Sequence, residues 1–184
     1  MRRRLACSFL IVLAAARCSE PPVKERQEAQ TAVDGARSAG AATYDSDDLQ
    51  AAEASLKRYD DAVAQRDYRQ ALNEALEARE RADEATKQTT AAKAELRAQA
   101  DKLATQLQTL IKAANARLPG LGARSAAAER LRSALRTANT ALQDSRSRRE
   151  VEDYRATVDV LTRGVSALQK ELPPQEPPAT KRKK

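Results

Sequence analysis

Small and apolar residues recur along this chain at alternating steps of three and four, the spacing that gathers them on one face of an α-helix. Over residues 23–39 the track is Ala29, Ala32, Val33, Ala36 and Ala39, and Gly40 follows as a candidate left-handed C-cap. Asp45 then stands where an N-cap belongs, with Asp47 and Asp48 in the first turn, where the helix dipole favours negative charge. The helix they open carries Leu49, Ala52, Leu56, Tyr59 and Val63 on one stripe and is expected to end near Arg66.

A further N-cap candidate, Asp67, precedes a track of Tyr68, Leu72, Ala75, Ala82, Leu96, Ala100, Leu103, Leu107, Leu110 and Ala114. No Pro or Gly interrupts residues 67–118, so one helix of about fifty residues, ~75 Å at 1.5 Å per residue, is allowed. Arg79, Thr86, Thr89 and Lys93 fall on its seam, which leaves a coiled-coil register around residues 96–110. Pro119, Gly120 and Gly122 break the chain. Ser125 is placed to cap a fourth helix carrying Leu131, Ala134, Leu135, Ala138, Ala141 and Leu142. A fifth is expected over residues 151–172, with Tyr154, Val158, Leu161, Val165 and Leu168 on its stripe. Pro173, Pro174, Pro177 and Pro178 forbid helix beyond it, so residues 173–184 read as a disordered, Pro-rich, basic tail.

The chain also echoes itself. Asp67, Tyr68 and Arg69 recur 86 residues later as Asp153, Tyr154 and Arg155, and at that offset Leu72 faces Val158, Ala75 faces Leu161 and Ala82 faces Leu168. Two readings stand side by side: a duplicated helical hairpin, or chance similarity among Ala- and Arg-rich helices.

Composition supports helix throughout. Alanine supplies 39 of 184 residues, against one Phe, four Tyr and no Trp; alanine has the best helix propensity, and strands want β-branched and aromatic side chains. The fold class is therefore all-α: elongated alanine-rich helical hairpins or a bundle, with one long central coiled-coil-like helix. An Ala on a seam buries about 2 kcal/mol less than a Leu but lets helix axes approach toward the lower end of ~8–10 Å. The domains expected are an alanine-rich helical domain over residues 29–118 and a C-terminal hairpin over 123–172.

The formal charge of +7 is concentrated at the ends. Arg2, Arg3, Arg4 and Arg17 lie near the start and Lys181, Arg182, Lys183 and Lys184 at the finish, so residues 19–180 sum to −1. With so few aromatics to stack on bases, no nucleic-acid partner is expected.

The opening arginines precede a dozen apolar residues, 5–16, the layout of an export signal and too short to span a bilayer core. Ala15, Ala16, Arg17, Cys18, Ser19, Glu20, Pro21 and Pro22 follow, and this run resembles a bacterial lipobox. On that resemblance residues 1–17 are an atypical lipoprotein signal, Cys18 is the lipidated first residue of the mature chain, and residues 18–28 are a tether. Arg17 stands where the pattern has Gly, Ala or Ser. Cleavage after Ala14, Ala15 and Ala16 is the competing route and gives a soluble periplasmic chain. Ser19 rather than Asp after the cysteine implies the outer membrane. Cys7 leaves with the leader, so the mature helices hold without an internal disulfide.

Residues 29–93 resemble the Ala-rich domain-of-unknown-function family of bacterial envelope lipoproteins, some of which are fused ahead of an outer-membrane-protein-A-like peptidoglycan-binding domain. The resemblance is carried by Ala32 and Ala36, the Gly40 and Tyr44 turn, the acidic start before Leu49, then Ala52 and Leu56, and Asp67, Tyr68, Ala71, Ala75, Ala78 and Ala82. It implies a helical envelope protein and assigns no catalytic or binding residue.

Chemistry is sparse. The chain has no histidine, hence neither the commonest general base nor the commonest metal ligand. Glu74, Glu77, Glu80 and Glu84 alternate with Arg79 and Arg81 as exposed helical charge pairs do. Tyr44, Tyr59, Tyr68 and Tyr154 read as packing at helix ends and seams. No enzyme activity, cofactor or metal is expected. The leading function is a lipid-tethered helical spacer or protein-interaction module, whose partners are the membrane through its anchor, other envelope proteins or peptidoglycan, and a second copy. The alternative is a soluble periplasmic module that binds polyanions such as lipid head groups, lipopolysaccharide or wall polymers through Lys181, Arg182, Lys183 and Lys184.

Overall fold

The computed structural model describes residues 20–172. Among them there are helices and no strand: α1 (Val23–Ala39), the single turn α2 (Ala41–Tyr44), α3 (Ser46–Ala64), α4 (Tyr68–Arg117), a 3-10 turn (Leu118–Gly120), α5 (Ala126–Glu150) and α6 (Tyr154–Glu171). The all-α class read from periodicity and composition is what the chain adopts. Residues 1–17, read above as a signal, Cys18 and residues 173–184, read as a tail, lie outside the described residues.

Local chemistry sets the boundaries. Gly40 takes φ 96° and its N–H bonds back to Ala36 and Arg37 carbonyls, closing α1 as a left-handed cap. The Asp67 carboxylate accepts from Gln70 N–H at 2.9 Å, the Ser125 hydroxyl from Ala128 N–H at 3.1 Å and Asp153 from Ala156 N–H at 3.1 Å, so three helices start on side-chain caps. α4 runs through 50 residues, as the absence of Pro and Gly allowed. α1 spans Val23–Ala39, the range its apolar track predicts, so residues 23–28 of the expected tether are helix. One helix boundary differs from the sequence reading. α6 begins at Tyr154 instead of residue 151, because Glu152 turns left-handed, φ 56°, and Asp153 caps after it.

The chain forms two compact units that divide within α4, between Ala92 and Lys93. Unit 1 holds α1, α3 and the first part of α4 around Ala29, Val33, Ala36, Leu49, Ala52, Leu56, Ala78, Ala82 and Ala85, with a smaller cluster of Tyr59, Ala62, Ala71 and Ala75. Unit 2 holds the second part of α4 with α5 and α6 around Leu107, Leu110, Leu131, Leu135, Leu161, Val165 and Leu168. The expected boundary at the Pro119–Gly122 breaker is therefore displaced. The breaker ends a helix without separating cores, since Leu107 and Leu110 bury their side chains with α5 and α6. The leucine stripe over residues 96–110 is bundle interior at Leu107 and Leu110 and partly buried at Leu96 and Leu103.

The echo at offset 86 is structural. Arg66, φ 59°, matches Glu152, φ 56°, the two non-glycine residues in the left-handed region among the described residues. Arg66 N–H donates to Val63 carbonyl and Asp67 N–H to Ala62 carbonyl, 3.0 and 2.9 Å; Glu152 N–H donates to Arg149 and Asp153 N–H to Arg148, 3.1 and 3.0 Å. Buried positions repeat on both sides of the turn, Leu49, Ala52 and Ser55 against Leu135, Ala138 and Ala141, then Ala75, Ala78 and Ala82 against Leu161, Gly164 and Leu168. Chance likeness of composition does not reproduce a strained turn, its hydrogen bonds and the burial register together, so both units contain the same capped helical hairpin.

Where the helices of unit 2 cross, there is no room for a methyl group. A Cβ on Gly164 meets Ala141 Cβ and Leu107 Cδ2 at 2.9 Å each, whereas one on Gly35 in α1 meets nothing within 4 Å. Gly164→Ala is expected to lower the unfolding free energy, an overpacking cost of about 1–3 kcal/mol outweighing the ~1 kcal/mol gain in helix propensity. Gly35→Ala is expected to raise it by about 0.5–1 kcal/mol. Urea melts of the two variants against the parent chain measure both signs.

Candidate interaction surfaces

In unit 1 the charged residues that look exposed on a helical wheel tie helices together. Arg26 meets Asp60 at 3.1 Å and lies over the Tyr59 ring, 5.8 Å from its centroid; Arg37 meets Glu53 at 2.8 Å, Arg79 meets Glu28 at 2.9 Å, and Arg81 meets Asp48 at 3.1 Å. The expectation that Glu74, Glu77, Glu80 and Glu84 are all solvent-exposed pairs fails at Glu74. Its side chain is 7% exposed, bonded to Arg58 Nε at 2.7 Å and approached by Gln70, with Ser55 holding the other edge of the Arg58 guanidinium. Glu74 shares the small-residue face of α4 with Ala71, Ala75 and Ala78, which turns it toward α3. Arg79, placed on the seam by spacing, is exposed, and Ala78 takes the buried position beside it.

Tyr59 is buried, as its place on the α3 stripe requires, and burial raises its phenol pKa, partly opposed by Arg26. Tyr44, Tyr68 and Tyr154 are half-buried at helix ends. The tyrosines therefore pack, and the described residues hold no group of three or more His, Cys, Asp or Glu placed for a metal ion. The surface depressions are open. One of them is lined by Leu76, Glu77, Glu80, Glu84 and Gln88 of α4 and by Asp48 of α3. Of the residues singled out from the sequence for function, Cys18, Lys181, Arg182, Lys183 and Lys184 lie outside the described residues. No described helix is long and apolar enough to cross a membrane.

The near-neutral helical body conceals a partition. Residues 20–92 carry ten Lys and Arg against sixteen Asp and Glu, a formal charge of −6; residues 93–172 carry fifteen against nine, +6. The sign change coincides with the division of α4 into the two units. Summing charge over the whole body removes this signal, and only a running tally along α4 recovers it.

The pKa of the Asp45 carboxyl is raised above its ordinary value. The residue stands at the N-cap position of α3, as expected, yet closes no side-chain cap bond, and its Oδ2 is buried without a partner. Burial is the main cause of the upward shift, followed by the charges of Asp48 and Asp47, with the Asp48 amide only partly opposing them. A carboxyl whose folded pKa is raised costs stability where it is ionised, and that cost vanishes as pH falls below its unfolded value. Asp45→Asn keeps a capping side chain. It is expected to raise the melting temperature at pH 7, with the gain shrinking toward pH 3; a gain independent of pH in thermal melts contradicts the assignment.

No protein-family model, no curated protein and no solved structure matches the chain.

Proposed function

We propose that this chain is a non-catalytic lipoprotein of the bacterial cell envelope, a helical spacer or protein-interaction module of the kind found in the Ala-rich envelope lipoprotein family it resembles. The observation that carries the reading is the order of parts: Arg2, Arg3 and Arg4, an apolar run, Cys18, Pro21 and Pro22, then two helical units. Lipid on Cys18, as a diacylglycerol and an N-acyl chain, exceeds the two-signal threshold for stable anchoring, each buried methylene adding ~0.8 kcal/mol. Ser19 favours the outer membrane. Packed alanine seams and exposed charged faces suit a spacer that offers its surface to other envelope proteins or peptidoglycan, and the chain has no histidine, the commonest general base.

A second reading draws on the +6 of residues 93–172 and on Lys181, Arg182, Lys183 and Lys184: a soluble periplasmic module that engages polyanions through its basic end. The two readings part at Cys18. Metabolic labelling with an alkyne fatty acid is expected to mark the wild-type chain and to leave Cys18→Ala unmarked. No label on the wild type, or equal label on both, removes the anchor.

A further inference from the structure

The two units share a hairpin and differ on one face of it. In unit 1 the α3 residues Glu53 and Asp60 are neutralised from α1 by Arg37 and Arg26, at 2.8 and 3.1 Å. In unit 2 the positions 86 residues on are Asn139 and Arg146, so the two acids of the first hairpin are replaced by a neutral amide and an arginine. Arg132, Arg136, Asn139, Gln143 and Arg146 follow one another at helical spacing of three and four along α5. Arg132 is bonded to Glu129 at 2.8 Å, within its own helix. Arg136 and Arg146 are exposed and have no ion-pair or hydrogen-bond partner among the described residues.

We propose that this face of α5 docks on an anionic phospholipid surface, the three guanidinium groups meeting lipid phosphates over ~21 Å of helix. Arg26, Arg37, Arg58, Arg79 and Arg81 of unit 1 pair with acids of other helices, whereas Arg136 and Arg146 carry positive charge without such a pair inside a unit of formal charge +6. The stripe holds no apolar or aromatic side chain. A protein partner needs a desolvated apolar centre, and single-stranded nucleic acid needs stacking platforms, but a wet head-group layer needs neither. The choice of polyanion rests on the second reading of the function; the location on α5 does not, and the two fail separately in the experiment below.

Co-sedimentation with vesicles tests it, using the full chain carrying Cys18→Ser so that no acyl chain contributes. Vesicles of phosphatidylcholine alone give the baseline that subtracts any contribution of residues 5–16; vesicles with one third phosphatidylglycerol give the ionic increment. The increment is expected to fall by about fivefold for each arginine neutralised, roughly 100-fold for Arg132→Gln, Arg136→Gln and Arg146→Gln together, and to fade as salt rises. The same three positions as lysine are expected to retain it, and circular dichroism melts of both triple variants are expected to match the parent. Neutralising Lys181, Arg182, Lys183 and Lys184 is expected to leave a salt-sensitive increment. Equal binding by the parent and the glutamine triple overturns the proposal, and so does loss confined to the tail variant, which leaves only the second reading standing. Absence of any anionic increment overturns both, and tighter binding to duplex DNA than to the anionic vesicles in the same buffer assigns the face to another partner.

Discussion

Close approach of helices through small side chains is the constraint from which the rest of this molecule follows. Ala29, Ala36, Ala52, Ala78, Ala82 and Ala85 are fully buried in unit 1, and Gly164 stands against Ala141 and Leu107 in unit 2. Each such contact gives up hydrophobic stabilisation that a leucine supplies, and recovers part of it by bringing backbones near enough for dense packing. Near helices also bring long charged side chains within reach of one another, which is why Arg26, Arg37, Arg79 and Arg81 span between helices. Thin cores leave little depth in which to build an enclosed pocket, and binding then falls to faces.

The repeated turn shows how such a unit is specified. Arg66 and Glu152 accept a left-handed backbone at a cost, and the Asp67 and Asp153 caps that follow offset it by satisfying the first amides of the next helix. With the turn fixed, burial register follows on both sides of it, so the outer face is free to change without disturbing the fold. That freedom accounts for the contrast between the paired acids Glu53 and Asp60 of α3 and the exposed Arg136 and Arg146 of α5.

Much of the fold was legible because helical periodicity, caps and breakers are local. Gly40, Asp67 and Ser125 mark their boundaries from neighbouring residues alone, and the stripe of Leu49, Ala52, Leu56 and Tyr59 reports the buried face of α3 directly. Periodicity says which face is buried and not against what. The division of α4 between Ala92 and Lys93 was therefore hidden, as were the buried Glu74 beside Arg58 and the tight crossing at Gly164. The candidate α5 face was invisible for a different reason. Arg132, Arg136 and Arg146 look like any solvated helix surface until they are set beside the paired residues of the first hairpin.

The central claim is that one continuous helix serves two separate cores. Along α4 the buried residues fall in two groups, Ala71 to Thr89 and Ala100 to Ala114, and none of residues 90–99 is buried. Native-state hydrogen exchange across α4 tests this most directly, since local opening free energy follows burial and packing. The account predicts two protected blocks, over residues 71–85 and 103–114, separated by amides near 90–99 that exchange through openings of lower free energy. Uniform protection from residue 72 to 114, lost in a single cooperative step, would contradict it.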